Sequence, residues 1–128
     1  MKPSIDQWLA EAKAAPEAEN CGMYLTHCGT VRRSAKAKVR LGETNTRNVT
    51  GMRFSYDAEK LARAVEATRA MDGIFIVRVW LNEGVLSLGD DIMLVLIGGD
   101  IRPHVVDALQ FLVGSIKSEC VVEEEIYD

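Results

Sequence analysis

A chain of 128 residues, 48% hydrophobic and 27% charged, is long enough for one domain over 1–128 with a core that needs no staples. A net charge of −4 argues against a general nucleic-acid binder, and no apolar run reaches the roughly 18–20 residues of a membrane helix. Residues 1–12 hold no basic flank followed by an apolar block, so no secretory signal is expected and the cytoplasm is the expected location.

The first element is a helix within 1–16. Ser4 and Gln7 fit a capping box, Ile5, Trp8, Leu9 and Ala12 share one face, and Pro16 closes the helix before a loop. Residues 21–32 predict a strand, with Gly22 and Gly29 marking a close backbone approach or a bulge. On such a strand Cys21 and Cys28 point to opposite faces. With Cys120 they predict free thiols rather than a disulfide or a metal site. A basic stretch over 32–40 and a loop over 42–48 follow, then a strand over 49–56.

Asp57 is placed to cap a second helix, whose stripe is Leu61, Ala64, Val65, Thr68 and Met71, and Asp72-Gly73 ends it. Three strands are expected next, at 74–81, 85–88 and 92–97. The tight turns between them predict antiparallel pairing along the chain. Pro103 opens a third helix with a broad apolar face from Val105 to Ile116, and Lys117 falls in its last turn. Residues 119–128 read as an acidic tail. The expected class is α+β, an antiparallel or mixed sheet with helices packed on it.

The basic stretch is the strongest electrostatic feature. Arg32, Arg33, Lys36, Lys38 and Arg40 include no carboxylate among them. They suit a solvated edge strand, or a site for a phosphate or carboxylate. Nucleic acid is disfavoured, since no aromatic is interleaved to stack bases. Gly98-Gly99-Asp100-Ile101-Arg102 offers backbone N–H groups at a helix start, a second candidate anion site. His104 reads as an exposed residue of the first helical turn, and Glu123-Glu124-Glu125 as solvated surface or a counterpart to a second copy's basic stretch. No Ser-His-Asp set, Walker motif or zinc-ligand spacing is present, and no resident cofactor or metal is expected.

Several motifs occur in one order: Cys-Gly-Thr-Val-Arg at 28–32, Asn-Glu-Gly-Val-Leu-Ser-Leu-Gly-Asp-Asp-Ile at 82–92, Ile101-Arg102 opening a helix, and Lys117 closing it. Across about 21–125 the order resembles the large, catalytic subunit of molybdopterin synthase. That family carries G-x-V-R, then H-R-x-G-x-L-x-x-G-D/E, then H-R at the long helix, a lysine at its end and another seven residues on. The resemblance implies an α/β hammerhead-type domain in a homodimer. It implies sulfur transfer from the thiocarboxylate of a ubiquitin-like small subunit, on a Gly-Gly C-terminus, to cyclic pyranopterin monophosphate. It makes Lys117 the catalytic residue and Arg32 and Arg102 anion-binding ones, and Arg33 and Lys36 of the basic stretch are expected to bind anions beside them.

The departures are Leu81-Asn82 in place of the middle His-Arg, Ile101 in place of a histidine, and Glu124 in place of the second lysine. A basic C-terminal extension like the family's is not expected, the sequence running to Asp128. These departures support an alternative, a non-catalytic relative acting as a dimeric binding or scaffold protein.

Overall fold

The structure, a computed structural model, describes residues 2–44 and 47–128. Part of the loop expected over 42–48 therefore lies outside the described residues. Helix α1 (Ile5–Ala14) starts at Ser4, whose hydroxyl accepts from the Gln7 N–H at 3.2 Å. The other half of the capping box is not made, because the Gln7 amide turns to Glu11. A 3-10 turn over Pro16–Asn20 stands where a loop was expected.

Strand β1 (Met23–Thr30) is shorter than the expected 21–32. Gly22 lies where a Cβ would collide with the Asp100 carbonyl, a close backbone approach, and the pairing slips at Gly29/Thr30, a bulge. The basic stretch is not an edge strand. Its second half coils into the short helix α2 (Lys36–Leu41), and its first half is the crossing between β1 and β2 (Val49–Tyr56).

Helix α3 (Ala58–Arg69) begins as expected, with Asp57 accepting from the N–H groups of Glu59 and Lys60. It stops at Arg69, and the turn after it closes on Gly73, which has φ +75° and no room for a Cβ beside Asp100 and His104. Strands β3 (Ile74–Leu81), β4 (Gly84–Ser87) and β5 (Asp91–Gly99) follow, then α4 (Arg102–Ser115), a π-helical turn (Ile116–Cys120) and β6 (Val121–Tyr127).

Two antiparallel three-stranded sheets result, in the orders β1-β5-β3 and β4-β2-β6. Two expectations are corrected here. β4 does not pair with its chain neighbours; it crosses to β2, and β3 pairs with β5 directly. The acidic tail is not a tail but a strand, with Phe54 opposite Glu123 and Met52 opposite Glu125. Lys117, too, sits one step beyond the α-helix, in the π-helical turn.

β5 is buried on both faces, and its alternation divides the core. Met93, Val95 and Ile97 join Val105, Ala108, Leu112 and Ile116 of α4 and its extension, together with Val49, Met52 and Phe54 of the second sheet. Leu94 and Leu96, equally buried, lie on the opposite side from that cluster, and α1 packs on β5. Among the described residues no helix is long and apolar enough to cross a membrane.

Candidate functional site

The two sheets meet at the start of β5 and the end of β1. The Val31 N–H donates to the Asp90 carbonyl at 3.0 Å, and the Val49 N–H to the Arg33 carbonyl at 2.8 Å. These bonds pin the crossing chain at the junction, and a small recess opens there. Its walls are Thr30, Arg32, Lys36, Met52, Ile92, Lys117, Glu123 and Glu125, and its volume is about 30 Å³. A larger groove, about 530 Å³, runs between α3 and the end of α4, but its charged groups Lys60, Arg63 and Glu119 are all exposed. Charge converges under partial burial in the recess instead.

Each wall residue has a local cause. Arg32 follows β1 directly, and its Nε donates to the Ser34 carbonyl at 3.1 Å. Lys36 opens α2, with its backbone N–H on the Glu125 carboxylate at 3.1 Å. A carboxylate at a helix start satisfies a donor the helix leaves free. Lys117 reaches the recess from the π-helical turn. The centre is Glu123, its side chain 5% exposed, in ion-pair contact with Lys36 and 3.3 Å from the Lys117 Nζ. Burial alone raises a carboxyl. Here the close contact of the Lys36 ammonium and the charges of both lysines outweigh it, and Glu123 stays below the usual carboxylate range.

Of the residues singled out from sequence, Arg32, Lys36 and Lys117 line one recess. Arg33 is exposed and does not line it. Arg102 is exposed at the first turn of α4, at the opposite end from Lys117. Fourteen residues of helix separate the two, about 21 Å. The second candidate anion site, 98–102, already holds a carboxylate. Asp100 accepts from the Ile101 N–H at 2.6 Å and lies 2.8 Å from the His104 Nδ1, a contact that holds its carboxyl below the usual range. His104 is therefore half-buried and paired rather than free. Cys28 is exposed and its thiol donates to Asp91, while Cys21 and Cys120 are also free thiols.

Residues 3–119 match the family model described as MoaE protein. The chain belongs to this family. It is the family of the molybdopterin synthase large subunit that the ordered motifs resemble. Solved structures share the fold at low identity. The MoaE protein of Burkholderia ambifaria superposes with a TM-score of 0.71 at 19% identity, over 99% of this chain and 83% of that one. The molybdopterin synthase of Staphylococcus aureus gives 0.68 at 18%, over 86% and 77%. A complex of subunits 1 and 2 of the molybdopterin-converting factor of Helicobacter pylori gives 0.63 at 15%, over 97% and 84%. No curated protein matches the chain in sequence.

Two carboxylates on the recess wall of this MoaE-family chain, Glu123 and Glu125, escaped the sequence reading. Strand alternation on β6 turns Glu123 and Glu125 inward and Glu124 outward, beside Arg53 and Val122. The carboxylate among the lysines is thus Glu123, not Glu124. The alternation was the available signal, hidden by three identical side chains in a row. His27, near Lys117 but not on the recess wall, escaped as well. It shares the inward parity of Gly29 and Val31 on β1. Burial, and then the nearby Lys117 ammonium, hold its imidazole below the usual pKa.

Proposed function

We propose that this chain is the large subunit of a molybdopterin synthase in molybdenum cofactor biosynthesis. It accepts the C-terminal thiocarboxylate of a small ubiquitin-like partner and passes the sulfur to cyclic pyranopterin monophosphate. The tail's sulfur displaces a hydroxyl from a pterin side-chain carbon, which leaves as water; water then attacks the acyl carbon, the acyl C–S bond breaks, and the tail leaves as a carboxylate with the sulfur kept on the pterin as a thiolate. Developing negative charge on the acyl oxygen is what an ammonium such as Lys117 stabilises and protonates. Arg32 and Lys36 hold the anions in place.

One observation carries this reading: in a chain of this family, Arg32, Lys36 and Lys117, from three separate elements, line one recess. Arg102 stands about one helix length away in its own subunit, so in this reading it serves the recess of a second copy in a homodimer. The test is to mix the purified chain with thiocarboxylated small subunit and cyclic pterin and follow molybdopterin. Product formation supports the reading, and its absence despite binding of the small subunit ends it. That outcome would leave the second reading, a non-catalytic dimeric binding protein. A specific observation favours that second reading: Glu123 already occupies the space between Lys36 and Lys117.

A further inference from the structure

Glu123 stands where an anionic guest of Lys36 and Lys117 would stand. It is 5% exposed, while the side chains of its two partners are 34% and 33% exposed and keep a solvent-facing side. Its Oε2 is buried and, despite the ion-pair contact, has no hydrogen bond of good geometry. The space left inside, about 30 Å³, holds a water or two, so an anion meets the recess on the solvent-facing side of the two lysines. The wall carries three cations, Arg32, Lys36 and Lys117, against two carboxylates, Glu123 and Glu125, which leaves one net positive charge.

We infer that Glu123 is a specificity-determining residue, matching the recess to a singly charged anion of the carboxylate or thiocarboxylate kind and setting it against a doubly charged oxyanion. One charge on the guest neutralises the recess. A second charge faces the Glu123 carboxylate, and because that carboxylate is shielded from solvent, salt screens the repulsion poorly. The inference rests on reading the recess as the anion site of the proposed reaction. It explains why a carboxylate is buried among cations that an anion is meant to reach.

The test uses the intact chain and two probes that share a sulfate group, sulfate with two charges and methyl sulfate with one, at constant ionic strength and neutral pH. Binding is followed by the NMR shifts of the Thr30, Lys36, Lys117 and Glu123 amides. The wild type should bind methyl sulfate at least as tightly as sulfate. Glu123→Gln should reverse that order and tighten sulfate about tenfold, the size of one charge–charge interaction at a partly exposed site. A preference for sulfate in the wild type overturns the inference, as does an unchanged order in the variant or the lack of any shift at these amides. If the variant fails to fold, the wild-type order decides alone. Neither probe needs the partner or the pterin. A preference for the single charge without molybdopterin formation sinks only the proposed reaction, and turnover with a preference for sulfate sinks only this inference.

Discussion

The two ends of α4 carry the same kinds of charge and use them differently. At the N-terminal end, Arg102 projects into solvent, and the local carboxylate, Asp100, is taken up by the helix start and His104. Exposed charges of that kind are screened and are worth little on their own. At the C-terminal end, Lys117 meets Lys36 across a carboxylate that is almost fully buried, with Arg32 on the same wall. The difference comes from what lies beyond each end. The N-terminal end opens on a turn, whereas the C-terminal end opens on the seam between two sheets, where strand alternation forces β6 carboxylates inward. Burial of Glu123 between its two lysines, not charge count, separates the paired cluster from solvated surface.

Breaking the buried end should have the largest effect. Arg32→Ala and Lys36→Ala each remove a charge-assisted contact worth about 1.5–3 kcal/mol, so molybdopterin formation should fall about ten- to a hundredfold in each. Steady-state turnover with the small subunit checks this, and wild-type rates in both would remove them from the site. Arg102 sharpens the comparison. Arg102→Ala should lower activity about tenfold as a homodimer, yet mixing it with Lys117→Ala chains should restore part of it, because some mixed dimers hold one intact recess. Mixed samples no better than either parent would confine Arg102 to the surface role its exposure suggests.

Acid should also loosen the buried end, in two stages. The depressed carboxyl of Glu123 contributes stability above its ordinary value of 4.5 that is lost as pH falls through the folded value. His27, depressed as well, gives stability that is full above 6.5 and declines as pH falls through its own folded value. Melting temperature against pH should therefore drop in two stages, and His27→Phe should flatten the upper one and Glu123→Gln the lower one. A lower stage that persists in Glu123→Gln would assign the acid sensitivity elsewhere. The smallest effect belongs to Glu124→Gln. On the outer face of β6 it should change stability by no more than about 0.5 kcal/mol and leave turnover alone. A clear gain of activity there would return Glu124 to the site.

Much of the local structure was readable because local chemistry determines it. Ser4 and Asp57 cap the helices they were expected to cap, and β2 and β3 occupy the expected residues. What escaped depends on partners distant in sequence. β4 has turn residues on both sides, as a hairpin strand would, but Met52 and Arg53 of β2 give Leu86 and Val85 their partners. β6 looked like a solvated tail because glutamates do not advertise burial; only the ladder to β2 makes them inward-facing. The recess was legible in part. Basic residues near 32–36 and at 117 stood out, but that they meet follows from β1 and the end of α4 reaching the same seam, and the Glu123 between them follows from a register no spacing rule supplies.

The account stands most directly on Lys117. Molybdopterin formation from thiocarboxylated small subunit and cyclic pterin should proceed with the wild type and fall about a hundredfold or more in Lys117→Ala, with the melting temperature little changed. Equal turnover by the two proteins would contradict it.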